Sequence, residues 1–233
     1  MVDSDYLKNG KWNGHIVDAV ELQAIGEAHL GTSLDTPLKP DAFDLSDEEK
    51  IALITQHFGE IMDIIGLDLS DDSLSGTPKR VAKMFVKEIF SGLKPDNKPK
   101  ASLFENKFQY RQMLVEKDIT LHSFCEHHFL PIYGVAHVAY IPNAKVIGLS
   151  KLNRIVDYYG RRPQVQERLT EQIAGEMKRV LQTEDVAVYI DARHMCVKLR
   201  GIKHDHSSTV TTAYGGKFLN ETTRSEFLQA IRS

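Results

Sequence analysis

The segment Ser123-Phe124-Cys125-Glu126-His127-His128-Phe129 lies between two runs that read as strands, Met113 to Leu121 and Val135 to Ile141. Further on, Val186 to Asp191, Met195 to Arg200 and Thr209 to Tyr214 read the same way. Two helices are expected among them, Ser150 to Tyr159 and Pro163 to about Leu181. Val165, Leu169, Ile173 and Met177 form one apolar line on the second.

Upstream the texture is helical. Ser46 and Glu49 form a capping box, and Ile51, Ile54, Phe58, Ile61 and Ile65 follow at helical spacing. Gly66 is a natural stop. A second helix is expected from Thr77, with Pro78 at its start and Val81, Met84, Phe85 and Ile89 as its apolar stripe. Arg80, Lys83 and Lys87 fall on another face, which by spacing alone reads as a solvated basic surface. Residues 94–111 resemble a linker. We divide the chain into an N-terminal arm, 1–45, a helical region, 46–100, and a catalytic domain, 101–233. The arm is expected to be partly disordered, with one short helix near Val17 to His29.

The bulk composition narrows the function classes. The 233 residues are 42% hydrophobic and 26% charged, as in ordinary globular proteins. No apolar run has membrane-spanning length, and no signal-like start is present, so a cytoplasmic protein is expected. A net charge of −3 points to neither nucleic acid nor membrane as a partner. An anionic substrate would need basic residues gathered locally.

The two cysteines, Cys125 and Cys196, carry the chemical signal. They read as a disulfide, as buried thiols or as metal ligands, and their neighbours must decide. Cys125 and His128, three apart, suit two ligands of one tetrahedral metal. In the stretch His194-Met195-Cys196-Val197-Lys198-Leu199-Arg200, a strand would turn His194, Cys196, Lys198 and Arg200 to one face. Cys196 and Arg200 would then stand roughly 13 Å apart, the span from a purine to its phosphates. Two thiolates and one imidazole make the three-ligand pattern of a catalytic zinc, although ten histidines leave a fourth ligand open.

Two further pieces are weaker. Ser150 reads as an N-cap, with Lys151 and Arg154 beside a helix start that could cradle phosphate or simply be a capped surface helix. Glu167, within Gln164-Val165-Gln166-Glu167-Arg168, projects away from the apolar line. It is either solvated or a bidentate acceptor for a guanine edge.

Together these pieces resemble the GTP cyclohydrolase I family. The matching stretches are Ser123 to Phe129, Tyr140-Ile141-Pro142, Val146 to Lys151, Arg161 to Thr170 and His194 to Gly201, with Thr77 to Met84 upstream. The resemblance spans roughly residues 46–232. It implies an α+β tunnelling fold, an antiparallel sheet with helices on one face whose subunits join into a barrel. It implies zinc (Zn2+) on Cys125, His128 and Cys196, and His127 and His194 as acid–base groups. Glu167 with Gln166 would hold guanine, and Ser150 would sit near the ribose and phosphates as a catalytic residue helping the later rearrangement. Lys151, Arg154 and Arg200 would hold the triphosphate, joined by Arg80 and Lys83 of a neighbouring subunit.

The implied reaction converts GTP and water to 7,8-dihydroneopterin triphosphate and formate. The implied assembly is a homodecamer of two pentamers. Two other readings compete: a related tunnelling-fold enzyme acting on a pterin or deazapurine, and a non-catalytic zinc-stabilised module with a closed four-ligand site. His127 and His194, which zinc binding alone does not need, speak against the second. His204 and His206 look ligand-like by spacing, but we read them as loop residues.

Overall fold

The computed structural model describes residues 11–12, 15–16 and 33–232. The chain divides into two compact units, 1–33 and 34–233. In the first, β1 (Lys11–Trp12) pairs antiparallel with β2 (His15–Ile16). The helix expected near Val17 to His29 lies outside the described residues.

The second unit opens with helices. α1 (Asp47–Ile64) starts on the expected capping box: the Glu49 amide donates to Ser46 Oγ at 3.3 Å, and the Ser46 amide to Glu49 Oε2 at 2.8 Å. After it the chain turns at Gly66, whose φ of +90° suits only glycine. A short α2 (Asp72–Ser75) leads into α3 (Thr77–Met84), which continues into one π-helical turn, Phe85–Ile89. Lys87 is not part of a free basic face: its ammonium lies 2.5 Å from Asp47, which also pairs with Lys94. These pairs tie the start of α1 to the far end of the helical region.

The expected linker carries structure. Within it, β3 (Leu103–Glu105) pairs antiparallel with a later strand, Lys145–Ile147. Then follow β4 (Leu114–Cys125), β5 (Pro131–Tyr140), that partner β6 (Lys145–Ile147) and α4 (Leu149–Gly160). The chain continues through β7 (Pro163–Gln164), α5 (Gln166–Leu181), β8 (Val186–His194) and α6 (Met195–Lys198). It closes with β9 (Thr209–Tyr214) and α7 (Glu221–Arg232). The main sheet has the order β7-β4-β5-β8-β9, antiparallel except for the parallel β7–β4 pair.

Three local expectations are corrected. Met195 to Arg200 is not a strand: β8 ends at His194 and a helical turn follows, with the Leu199 amide on Met195 O at 2.9 Å. The cause is the neighbour. The last β5–β8 pair is Ile132 with His194, and β5 begins at Pro131, which has no N–H to extend the ladder. Secondly, Pro163-Gln164 is strand rather than helix, paired with Phe124 and Cys125. Thirdly, Ser150 is not an N-cap. Gly148 takes that place in extended conformation, its amide held by Ser102 O, and Ser150 sits inside the first turn.

The core lies between α4 and α5 and one sheet face. Leu152, Ile155, Val156, Leu169, Ile173 and Met177 pack against Leu121, Ile132, Ala136, Val138, Val188 and Ile190. Phe218 and Phe227 cover part of the other face through Ala139, Ile141 and Ala187. At Gly134 a Cβ would meet Asp191 O at 2.1 Å, so β5 and β8 approach closely only because that position is glycine. Glu176, on α5, is 5% exposed and anchors Lys98 at 2.6 Å, with Arg179 and the Tyr159 hydroxyl on the same carboxylate. Burial raises the Glu176 pKa, and Arg179 and Lys98 more than offset this, holding it below the usual carboxylate range.

The sheet also buries a histidine. A bulge between Glu116 and Ile119 puts Asp118 at φ +57°, and its amide donates to His137 Nδ1 at 3.2 Å. His137 is 5% exposed. Burial pushes its pKa below the ordinary value; Asp118 pulls it up, Lys117 pushes it down and Asp191 pulls it up. In the unfolded chain a histidine titrates near about 6.5. As pH falls, the unfolded chain therefore takes the proton first, and stability is lost progressively below roughly pH 6.5. We expect His137→Gln to flatten the fall in denaturation midpoint between about pH 7 and pH 5. A variant as pH-sensitive as the parent would remove His137 from that loss.

Candidate active site

The site forms where β4 and β8 end, on either side of the start of β5. After Cys125 the chain reverses through Glu126-His127-His128-Phe129. The Phe129 amide donates to Cys125 O and the Cys125 amide to Leu130 O, both at 2.8 Å, and Phe129 adopts φ +51°. This tight turn sets His127 Nδ1 3.7 Å and His128 Nδ1 3.8 Å from Cys125 Sγ. The turn after β8 brings Cys196 to the same place. One ligand atom each from Cys125, His128 and Cys196 lie within 4.8 Å of one another.

These donors suit a soft tetrahedral ion. Zinc–sulfur and zinc–nitrogen bonds of about 2.3 and 2.0–2.1 Å imply ligand separations of roughly 3.5–3.8 Å. The Cys125–His128 spacing of 3.8 Å already falls there. Burial pushes the Cys196 thiol pKa up, and the neighbouring Cys125 adds to this. A dication is the charge that would favour the thiolate at such a place. Among the described residues this is the only group of three metal-ligating side chains, and His204 and His206 lie in an exposed loop outside it.

Beside the metal group stands His194, the last residue of β8. Its Nε2 lies 2.8 Å from Gln166 Oε1. The Gln166 amide orientation is set by its other end. Nε2 donates to Thr209 O at 2.8 Å, Thr211 Oγ1 at 3.1 Å and Ile190 O at 3.3 Å. Oε1 therefore faces His194 as an acceptor, and His194 Nε2 carries a proton. Burial pushes the His194 pKa down, with the Glu167 carboxylate pulling the other way. Gln166 is 1% exposed, with its amide engaged by the protein, whereas Glu167 is exposed.

Arg200 lies closer than a strand would allow. With residues 195–198 helical, the 13 Å strand spacing does not apply, and Arg200 Nη1 sits 2.7 Å from His128 Nε2. The structure thus gathers Cys125, His127, His128, Gln166, Glu167, His194, Cys196 and Arg200. Sequence reading missed Arg168, whose buried guanidinium pairs with Glu126 at 2.5 Å. Its place next to Glu167 was the one available signal.

Ser150, Lys151 and Arg154 are not gathered with them. They sit at the start of α4, where Asn153 bonds Glu116 near the beginning of β4. Cys125 is at the other end of that strand, about 30 Å away along extended backbone. Arg80 is turned to Thr77 Oγ1 and Ser73 O, and Lys83 lines a cavity with Lys79, Lys87 and Thr55.

Fold and site define a class: an α+β protein with a Cys–His–Cys group fit for a soft metal beside a half-buried, hydrogen-bonded histidine. Comparison with known proteins narrows it. The profile of the family described as GTP cyclohydrolase I matches residues 54–232. A protein of Flavobacterium johnsoniae named GTP cyclohydrolase 1 is 58% identical over 91% of this chain and 95% of its own length. One of Citrobacter koseri with the same name is 52% identical over 91% and 96%. The apo crystal structure of the archaeosine synthase QueF-Like aligns with 45% of this chain and 93% of its own at 18% identity and a TM-score of 0.38, too little to add weight. The chain belongs to the GTP cyclohydrolase I family, and its fold is the α+β tunnelling fold of that family.

The donor geometry leads to a direct expectation. Cys196→Ser should lose bound zinc on gel filtration while the far-UV circular dichroism is kept. Unchanged metal content in that variant would remove Cys196 from the ligand set.

Proposed function

We propose that the chain is a GTP cyclohydrolase I: it hydrolytically opens the imidazole ring of GTP, releases C8 as formate and yields 7,8-dihydroneopterin triphosphate. The observation that carries this reading is the placement of His194, Gln166 and Glu167 beside Cys125, His128 and Cys196. Zinc held by those three residues would supply an acidified water and a Lewis acid at the guanine ring.

The chain's own residues supply the rest. Glu167, exposed next to His194, is an acceptor for the donor edge of guanine. Its neighbour Gln166 acts on His194 rather than directly on guanine, since its amide is engaged within the fold. His194 holds a proton at Nε2 against Gln166, so its proton exchange with substrate falls to Nδ1. His127, exposed beside Cys125, is the second proton carrier. A pair of histidines suits a reaction that must both give and take protons near neutral pH.

Arg200 is the local cation for the triphosphate. Ser150, Lys151 and Arg154 lie too far from Cys125 in one chain to share a nucleotide with it. This supports a site completed by the α4 start of an adjoining subunit, with Arg80 and Lys83 supplied from another. A homodecamer of two pentamers meets that requirement. Among the described residues no helix is long and apolar enough to cross a membrane, and we place the enzyme in the cytoplasm.

The test is purified protein with GTP, following formate and the fluorescence of the oxidised pterin. We expect turnover that a chelator abolishes and zinc restores. Zinc-replete, assembled protein without turnover would favour a binding module. In His194→Ala we expect zinc and assembly to be kept and formate release to fall by about 10²–10⁴-fold. Undiminished release would take His194 out of the chemistry.

A further inference from the structure

One ion pair, buried on its arginine side and half-buried on its carboxylate side, joins the two halves of the site. Arg168 lies on α5, next after Glu167, and its side chain is 2% exposed. Its guanidinium reaches Glu126 with Nη1 2.5 Å from Oε2 and Nη2 3.3 Å from Oε1. Glu126 sits between Cys125 and the His127-His128 pair. Its Oε1 is 3.9 Å from His127 Nε2, and its amide donates to Gln164 O at 3.0 Å.

We propose that Arg168 and Glu126 are positioning residues that clamp the metal-bearing turn to the guanine-facing start of α5. The inference rests on the functional reading above for the role of Glu167. Three features support it. The two-point fork fixes the relative orientation of its partners, which a single ammonium contact cannot do. The pair connects segments 42 residues apart, each carrying site residues on immediately neighbouring positions. Among the described residues, the backbone ties between these two segments are the two-residue β7–β4 pairing and the Glu126–Gln164 bond, a short ladder. A turn that is exposed at His127, His128 and Phe129 needs such an inner anchor to hold its ligand and its proton carrier in place.

The test uses the full-length, zinc-loaded protein. Glu126→Gln keeps shape and removes the charge; Arg168→Lys keeps charge and removes the fork. In Glu126→Gln we expect zinc release into a chromogenic chelator about 10–100-fold faster and kcat lower by a similar factor. KM for GTP and the assembly seen by gel filtration should stay close to the parent. Arg168→Lys should fall between parent and Glu126→Gln on both readouts. If Arg168 and Glu126 act through each other, the double variant should be no worse than the poorer single one. The clamp is refuted if folded, assembled Glu126→Gln releases zinc at the parental rate with parental kcat. It is equally refuted if kcat falls only in step with lost assembly. Should the parent itself fail to turn over GTP, the functional reading falls, and the zinc-release comparison still decides the clamp.

Discussion

The site depends on the antiparallel pairing of β4, β5 and β8. That register sets Phe124 opposite Pro131 and Ile132 opposite His194. Cys125 and His194 are thereby delivered to the same end of the sheet from distant parts of the chain. Closing so long a loop carries an entropic penalty that grows slowly with length. Here the sheet and its packed helices offset it, so the metal donors need not organise themselves. Gly134 is part of the same constraint, since a larger residue would push β8 away from β5.

Where the ladder stops matters as much as where it runs. Pro131 cannot donate, so β8 has no partner past His194 and coils into a turn. That turn swings Cys196 towards Cys125 and carries Arg200 round to His128. Continued as a strand, the same residues would have carried Arg200 a strand's length away. The change from extended to helical backbone is therefore what makes a compact metal group out of two sequence-distant motifs.

Much of this was legible in the residues. The capping box at Ser46 and the apolar lines of α4 and α5 appear where spacing put them; Cys125, His128 and Cys196, grouped by the family resemblance, lie close enough to hold one metal ion. The errors share a physical origin. At Met195, at Pro163 and at Ser150, local pattern favoured one state and a neighbouring strand or carbonyl decided otherwise. Alternation over six residues cannot reveal that the partner strand has ended. Nor can spacing along one helix reveal that the start of α4 lies far from Cys125, because that depends on which end of β4 it packs against.

The two candidate proton carriers are held in different ways, and the difference follows from burial. His194 is half-buried, and its inward ring nitrogen finds its partner within the protein, on Gln166. Gln166 can serve because three acceptors fix its own amide, with Thr170 Oγ1 on Thr211 Oγ1 extending the chain at 2.7 Å. His127 lies on an exposed turn, with Glu126, Cys125 and the His128 ring near it. With its Nε2 proton committed to Gln166, His194 can exchange a proton with the site only through Nδ1. The exposed His127 can exchange with water between steps. The proposed ring opening needs protons both given and taken, and the two settings differ in how freely they exchange them.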